Sequence, residues 1–280
     1  MPRACPHCTV TNLMSFLYRD IPLRYSVDLA RLPAELQGVF VELDADDSTR
    51  AWIDAVHAKP NPRSKILLRN LAMLFVNLYD ANGLTNSFQD RLLSTAQWQR
   101  LLGEGGARLL DVGAGDGEVT RQLAPLFSDI VTTEVSKPMV RRLRGKGYRS
   151  HHCDIAFADI DDPGGFDVVA LQNVIDRTTH PLRLIESAFN LLGEEGRVVI
   201  ATPLPLQPEV YAGSRRLMPE ELLPVDTPDF ESAVTALYEQ VLAPRGYRVT
   251  AFTRAPYLCS GTAKAPVDVL DDAIFVLAQW

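Results

Sequence analysis

The stretch DVGAGDGEVT at residues 111–120 decides the fold. It completes the apolar run RLLDVG (108–113), which has the composition of a buried strand, and it opens a segment of helical character, GEVTRQLAPLF. Glycines at 113, 115 and 117 let the backbone turn tightly and approach a ligand closely. The start of the helix then offers free N–H groups. A glycine loop also occurs in ordinary strand-to-helix turns, so the surrounding pattern has to decide.

That surrounding pattern alternates apolar runs of strand length with helical segments. Further strands are predicted at 130–135, 148–154, 166–174 and 196–204. The chain ends in two strand-like runs, 247–258 and 271–279, with no helix between them. Strand–helix alternation implies a parallel sheet with helices on both faces, and the final hairpin implies an antiparallel edge. The predicted fold class is α/β, a Rossmann-like and mostly parallel sheet with an antiparallel last strand.

The N-terminal part of the chain has a different character. Residues 1–26 show little periodicity, and we expect them to be loosely ordered. Residues 27–103 are predicted to form a helical extension or lid, and 104–280 the α/β domain. In KILLRNLAMLFVNLY (65–79), apolar residues at helical spacing predict one helix with one apolar face, between the stops NPRS and DANG. That face consists of Leu67, Leu71, Leu74, Phe75 and Leu78.

A second helical segment, STAQWQRLL, begins with a recognisable start signal. Ser94 stands at the N-cap position and Gln97 three residues later, which is the spacing of a capping box. The pattern predicts a helix that begins just after Ser94 and leads into the first strand of the α/β domain.

Composition excludes several classes of protein. The 280 residues are 46% hydrophobic and 22% charged, with a formal net charge of −7, so binding to a phosphate backbone is not expected. No run of about 18 apolar residues predicts a membrane span. The four cysteines and the absence of a secretory leader pattern predict an intracellular, cytoplasmic location. Cys5 and Cys8 supply half of a zinc site, no second pair follows, and no metal site is expected.

Two further features of the sequence indicate that the glycine loop binds a cofactor. Glu134 ends the second strand, 21 residues after Gly113, where a carboxylate can accept both ribose hydroxyls of an adenosine. Asp154 and Ile155 end the third strand and can hold the adenine amino group and ring face. The G-x-G-x-G spacing departs from the G-x-G-x-x-G of dinucleotide enzymes, and Asp111 before it can bind a methionyl ammonium. The pattern resembles motif I of class I S-adenosylmethionine-dependent methyltransferases, which favours that cofactor over NAD.

The fourth predicted strand ends in LQNVIDRTTHP (171–181), which brings an amide and a carboxylate out of the core. In a class I methyltransferase this end lies beside the methyl group. Asn173 and Asp176 are therefore expected to face the acceptor atom. Capping roles are the alternative: Asp176 for the helix at PLRLIESAF, or Asn173 for a turn.

Several segments together resemble the DREV family of methyltransferase-like proteins. They are LLDVGAGDGEVT (109–120), NVIDR (173–177), AFTRAPYLCSG (251–261) and VLDDAIFVL (269–277), and the likeness spans about residues 27–280. The family methylates protein histidine at Nδ1 in His-x-His motifs with a small middle residue. One departure is that Val267-Asp268 stands where the family tends to have aromatic residues.

The resemblance implies roles for individual residues. Asp111, Gly113, Gly115, Glu134, Asp154, Ile155 and Asn173 would bind the cofactor, and Asn173, Asp176, Arg177, Arg254 and Tyr257 the substrate, with Asp176, Asn173 and Tyr257 catalytic. Asp176 is predicted to accept a hydrogen bond from Nε2–H of the substrate histidine, which leaves Nδ1 free to attack. Tyr257 is predicted to wall the ring or donate a hydrogen bond, a buried strand tyrosine being the alternative. Another protein or small-molecule acceptor, or an inactive cofactor-binding adaptor, are the rival functions.

Overall fold

The computed structural model describes residues 21–86, 89–160, 162, 165–212, 215–225, 227–262 and 264–279. Residues 1–20, which include the Cys5–Cys8 pair and most of the segment expected to be loosely ordered, lie outside the described residues. Within these ranges, no helix is long and apolar enough to cross a membrane.

The helices and strands of the described residues are numbered here in chain order. The helices are α1 (Ala34–Gln37), α2 (Asp47–Ala58), α3 (Arg63–Ala72), α4 (Leu78–Thr85), α5 (Thr95–Leu102), α6 (Thr120–Leu123), α7 (Lys137–Gly145), α8 (Pro181–Asn190) and α9 (Phe230–Leu237). The strands are β1 (Asp90–Arg91), β2 (Gly106–Val112), β3 (Phe127–Glu134), β4 (Arg149–His152), β5 (Phe166–Gln172), β6 (Leu192–Pro203), β7 (Val210–Ala212), β8 (Arg215–Leu217), β9 (Tyr247–Thr262) and β10 (Ala265–Gln279).

Eight strands form one sheet in the order β4-β3-β2-β5-β6-β10-β9-β1, and β7 and β8 form a separate hairpin. Strands β2 to β6 pair in parallel. Strand β10 runs antiparallel to both β6 and β9, so the predicted α/β fold with an antiparallel last strand is confirmed. The two final strands are longer than predicted, because their pairing continues to Thr262 and begins again at Ala265.

Alternate residues of the central strands enter two different cores. In β5, Val169 and Leu171 join one apolar cluster, and Val168 and Ala170 join the other on the opposite face. Successive side chains of a strand point to opposite faces, so a strand covered on both sides must be apolar throughout. This explains why the sequence of β5 reads as a continuous apolar run.

The predicted helix over 65–79 is divided in two. Helix α3 ends at Ala72, and α4 begins after Asn77, whose side chain accepts a hydrogen bond from the Asp80 N–H at 2.8 Å. This cap starts a new helix inside the apolar pattern. The motif DANG lies within α4 and does not end the helix.

The predicted apolar face of that helix is also not in a core. Leu67 is 62% exposed, Leu74 73% and Phe75 87%. The pattern alone predicted a helix correctly over 65–72, but it gave no information about which partner the apolar side chains would meet.

The capping box at the start of α5 is confirmed. The Gln97 N–H donates to Ser94 Oγ at 3.1 Å, and the Ser94 N–H donates to Gln97 Oε1 at 2.8 Å. Trp98, in the first turns of α5, is fully buried in the core on one face of the sheet. The cap therefore fixes the helix that covers this face.

Candidate active site

A cavity of 630 Å³ opens at the carboxyl ends of the parallel strands. The glycine loop after β2, the ends of β3 and β5 and the segment after β4 form one side, and α4, β1 and β9 form the other. Ligands of open α/β sheets bind at this edge, where neighbouring loops diverge. All seven residues predicted to bind the cofactor line the cavity: Asp111, Gly113, Gly115, Glu134, Asp154, Ile155 and Asn173.

The glycine loop has the backbone that its sequence predicted. Gly113 and Gly115 have φ values of +65° and +58°, a region that other residues rarely adopt. A Cβ at Gly113 would overlap the Val174 side chain. A Cβ at Gly115 would meet no other described atom within 4 Å, so the space beside this glycine is open to a ligand. The loop thus presents bare backbone to the cavity.

Asp111 is held at the start of the loop by two hydrogen bonds. Thr120 Oγ1 donates to its Oδ2 at 2.5 Å, and Gln172 Nε2 donates to its Oδ1 at 3.1 Å. Burial raises the pKa of Asp111 to about 6, although both donors act in the opposite direction. The carboxylate therefore ties the loop to the end of β5 and places negative charge at the floor of the cavity.

Glu134 is fixed by backbone donors at the end of β3. Gly115 N–H donates to its Oε2 at 3.0 Å, and Ser136 N–H donates to its Oε1 at 2.9 Å. Burial raises the pKa of Glu134, and these donors partly offset that effect. Asp154 is held similarly, because its Oδ1 accepts from Ala156 N–H at 2.9 Å. Both carboxylates are oriented before any ligand arrives.

Asn173 has an unusual backbone and an unsatisfied side chain. Its φ is +54°, in the left-handed region, and it is only 5% exposed. Neither its Oδ1 nor its Nδ2 has a hydrogen-bond partner of normal geometry among the described residues. A strained, buried and unpaired polar group that faces a cavity is typical of a functional position.

A second unsatisfied carboxyl, Asp272 on β10, lies near Asn173. It is fully buried, and neither of its oxygens has a hydrogen-bond partner of normal geometry within the described parts of the chain. Burial and the neighbouring Asp176 raise the pKa of Asp272 well above its usual value, while the nearby Asn173 side chain acts in the opposite direction. Burial therefore favours the protonated form of this carboxyl over the charged form.

Asp176 lies behind the cavity wall and does not line it, in contrast to its predicted place at the acceptor. It is 2% exposed, and its Oδ2 lies 3.5 Å from Nε of Arg177, which does line the cavity. Burial raises the pKa of Asp176, and Arg177 partly offsets this. The turn after β5 directs Asn173 and Arg177 to the cavity and Asp176 to the interior.

Arg254, predicted to bind substrate, also lies elsewhere. Its guanidinium pairs with Asp271, donates to the Ser26 carbonyl at 3.0 Å and stacks over the Phe230 ring at 4.0 Å. Arg254 and Tyr257 are three residues apart in β9, and an odd separation places two side chains on opposite faces of a strand. Tyr257 lines the cavity, so Arg254 faces away from it.

Other residues at the cavity had no signal in the sequence. Asp90 accepts a hydrogen bond from Tyr257 Oη at 3.0 Å, and Tyr79 lines the cavity from α4. Asp90 reaches the site because β1, only two residues long, pairs with β9. A two-residue edge strand has no periodicity, so only the long-range pairing reveals it.

Part of this chain is similar in sequence to known methyltransferases. The ubiquinone biosynthesis O-methyltransferase of Xanthomonas campestris pv. campestris strain B100 is 27% identical over 103 residues, which are 35% of this chain and 43% of that protein. The same enzyme of Xylella fastidiosa strain 9a5c is 26% identical over 103 residues, 35% of this chain and 42% of that protein. The chain thus matches less than half the length of these curated relatives.

Among solved structures, the N-methyltransferase NodS of Bradyrhizobium japonicum WM9, in complex with S-adenosylhomocysteine, is 17% identical with a TM-score of 0.42. That match covers 65% of this chain and 84% of NodS. The magnesium protoporphyrin IX methyltransferase of Synechocystis PCC 6803, with bound S-adenosylmethionine, is 15% identical with a TM-score of 0.41, over 66% of this chain and 76% of that one.

The family comparison covers far more of the chain. The model of the DREV methyltransferase family matches residues 24–279, which take in the sheet, the cavity and the whole N-terminal extension over 27–103. Together with the glycine loop and Glu134, this match identifies S-adenosylmethionine as the cofactor. The chain belongs to the DREV methyltransferase family.

Proposed function

We propose that this protein transfers a methyl group from S-adenosylmethionine to Nδ1 of histidine in His-x-His motifs of proteins. The observation that carries the proposal is the buried, unpaired Asn173 side chain, held at φ +54° where β5 opens into the cavity. Arg177 and Tyr257 line the cavity with it. These residues belong to NVIDR and TRAPYLC, two of the segments that resemble the DREV family.

The cofactor end of the cavity fits an adenosine attached to a methionine. Glu134 is oriented to accept ribose hydroxyls, Asp111 supplies negative charge toward an ammonium, and the backbone at Gly115 leaves open space. When bound, S-adenosylmethionine supplies an electrophilic methyl group on a positively charged sulfur. The protein then contributes mainly alignment and charge placement.

The acceptor end fits a planar ring that is polar and neutral. Tyr79 and Tyr257 offer aromatic surfaces, and Asn173 offers both a donor and an acceptor. A neutral imidazole carries one protonated and one free nitrogen, so it needs an acceptor for Nε2–H when Nδ1 is the nucleophile. Hydrogen bonds from the wall of the cavity would select that tautomer.

Arg177 favours the neutral form of the substrate. Burial lowers the pKa of Arg177, but Asp176, Tyr79, Tyr257 and Glu209 outweigh it, so the pKa is raised and the guanidinium stays charged. A fixed positive charge in the acceptor wall disfavours an imidazolium ion beside it. Asp176 acts through Arg177, because it holds this cation in place.

The proposal is tested by methyl transfer to synthetic peptides. The 280-residue protein is incubated with S-adenosylmethionine and a peptide that contains His-Ala-His, and methylation is followed by mass spectrometry. Matched peptides replace the first, the second or both histidines with alanine. We expect a mass gain of one methyl group that disappears from the double-alanine peptide.

Three outcomes would contradict the proposal. Equal methylation of the double-alanine peptide would move the acceptor to another side chain. A second outcome is that calorimetry shows cofactor binding and a phenol is methylated, but no peptide is. This result would favour O-methylation, the activity named for the Xanthomonas relative. Cofactor binding without any transfer would favour an adaptor.

A further inference from the structure

Asp90 enters the cavity from a part of the chain that lies outside the recognised motifs. Strand β1 pairs antiparallel with β9, with Asp90 opposite Cys259. Cys259 is in turn opposite Asp268 on β10, so these three residues form one row across the sheet. Directly paired residues point to the same face, as do residues two apart in one strand. Tyr257, Cys259 and Asp90 consequently share the face that lines the cavity.

The two oxygens of Asp90 have different surroundings. Oδ2 accepts a hydrogen bond from Tyr257 Oη at 3.0 Å, which fixes the orientation of the carboxyl. Oδ1 is buried and has no hydrogen-bond partner of normal geometry in the described part of the chain. Leaving a buried acceptor unpaired costs about 1–3 kcal/mol, so such an atom is favourable only when a ligand completes it. The Cys259 thiol, a weak donor, lies beside this carboxyl. The geometry therefore leaves one oriented acceptor that a stronger donor in the cavity can take.

The groups that face Asp90 come from three elements. Tyr257 and Cys259 approach from β9, Asp116 from the glycine loop and Arg177 from the turn after β5. The pKa of Asp90 is raised to about 6, chiefly by burial and also by the negative charge of Asp116, although hydrogen bonding with Tyr257 and Cys259 and the positive charge of Arg177 act in the opposite direction. At pH 7 the group is mostly the carboxylate, which is the form that accepts hydrogen bonds.

We propose that Asp90 is the catalytic carboxylate of this protein, and that its Oδ1 accepts the hydrogen bond from Nε2–H of the substrate histidine. This inference rests on the histidine methyltransferase function proposed above. It gives Asp90 the role that the sequence pattern assigned to Asp176, which lies behind Arg177 and outside the cavity. The ligand class is a neutral imidazole, bound as its Nε2–H tautomer.

Asp90 is the only acid or base of the protein that this methyl transfer needs. The lone pair of the substrate Nδ1 forms a bond to the methyl carbon as the carbon–sulfur bond breaks, and the bonding electrons remain on sulfur. The ring gains one positive charge, which Asp90 stabilises through the Nε2–H hydrogen bond. That proton passes to Asp90 Oδ1 and then to water as the neutral methylated histidine leaves, which restores the carboxylate.

The test compares Asp90→Asn with the wild type and with Asp268→Asn. Asp268 is exposed and lies in the same row of residues but outside the cavity, so it controls for loss of a nearby negative charge. With the His-Ala-His peptide at saturating cofactor, we expect kcat/KM to fall about 100-fold for Asp90→Asn and to stay within about twofold for Asp268→Asn. The Kd for S-adenosylhomocysteine should change less than twofold in both variants.

The pH dependence separates a chemical role from a structural one. In the wild type, log kcat/KM should rise with a slope near 2 on the acid side, because both the substrate imidazole and Asp90 must lose a proton. In Asp90→Asn the slope should fall by about 1, since the carboxyl at position 90 no longer titrates. Circular dichroism at each pH verifies that the variant is folded, and Asp90→Ser serves as a second variant if Asp90→Asn does not fold.

Three results would overturn the assignment of Asp90. One is an unchanged kcat/KM. Another is a loss of activity with the slope still near 2. The third is a weaker Kd for S-adenosylhomocysteine that accounts for the whole loss, which would place Asp90 at the methionyl ammonium. Each of these results can be obtained only if the wild type methylates the peptide. If the wild type is inactive on all histidine peptides, the proposed function is wrong, and that outcome is distinct from the three above.

Discussion

The two ends of the cavity differ in how their polar groups are satisfied. At the cofactor end, Asp111, Glu134 and Asp154 already accept hydrogen bonds from neighbouring residues. At the acceptor end, Asn173 and Asp90 have buried atoms without partners among the residues described. The three carboxylates of the first end are thus paired within the protein, whereas Asn173 and Asp90 at the second end keep atoms that a substrate can pair.

This difference indicates which segments of the chain determine substrate specificity. The cofactor end is made by loops that directly follow strands β2, β3 and β4, so short segments of sequence determine it. The acceptor end combines β1, α4, β5 and β9, which are distant in the chain. Unpaired buried groups cost stability, and they persist where binding uses them. Four substitutions probe this comparison.

The largest effect is expected for Asn173→Gly. Glycine adopts the left-handed backbone of this position without strain but supplies no donor or acceptor. We expect kcat on the His-Ala-His peptide to fall about 10²- to 10³-fold, while the melting temperature stays the same or rises. A loss of both activity and stability would show that Asn173 is a structural cap. Steady-state kinetics and calorimetry on the same preparation decide between the two.

Glu134→Gln tests the cofactor end. The amide keeps one acceptor oxygen but loses the charge that binds hydroxyl donors, and a charge-assisted hydrogen bond contributes about 1.5–3 kcal/mol. Isothermal titration calorimetry should show a Kd for S-adenosylhomocysteine about 10- to 100-fold weaker. The KM for the peptide at saturating cofactor should not change. A raised peptide KM would mean that the two ends of the cavity are not separate.

Asp272→Asn tests whether the unpaired groups reduce stability. A raised pKa in the folded state means that the stability contributed by the neutral carboxyl is lost as the pH rises above the unfolded value of about 3.9. Asparagine does not titrate, so the stability of the variant relative to the wild type should increase as the pH rises. We expect a gain of about 1–2 kcal/mol at pH 8, and a smaller gain at pH 5. A gain that is equal at both pH values, or a loss of stability, would contradict a raised pKa at Asp272.

The smallest effect is expected for Ser94→Ala, because Ser94 does not line the cavity. The substitution removes the N-cap of α5 and should reduce the free energy of unfolding by about 1 kcal/mol. The melting temperature should fall by a few degrees, and kcat/KM should stay within about twofold of the wild type. Thr95→Ala, which removes a hydrogen bond to the Gln122 carbonyl but leaves the cap, is the matched control. A large loss of activity would show that α5 is coupled to the site.

Most of the fold was predictable because its signals are local. The βα alternation, the glycine loop and the capping box each depend on residues close in sequence. The division of the helix at residue 73 was missed, because a cap at Asn77 and an apolar pattern of helical spacing support different structures in the same segment. Which of the two prevails depends on tertiary contacts that periodicity does not describe.

The site was predictable only in part, for the same reason. Residues at strand ends, such as Glu134 and Asn173, were assigned to the cavity from their position in the chain. Arg254 was assigned from its motif, and the alternation of side chains along β9 places it on the other face. Asp90 was missed because the pairing of β1 with β9 joins residues 90 and 259, which no local pattern connects.

The identity of the methylated nitrogen tests most directly how the acceptor end of the cavity orients the substrate histidine. The methylated His-Ala-His peptide is hydrolysed, and the two methylhistidine isomers are separated by chromatography and quantified by mass spectrometry. An acceptor end that holds Nε2–H against Asp90 predicts methylation at Nδ1 alone. Methylation at Nε2, or an equal mixture of both isomers, would contradict it, because the wall of the cavity would then not fix the ring.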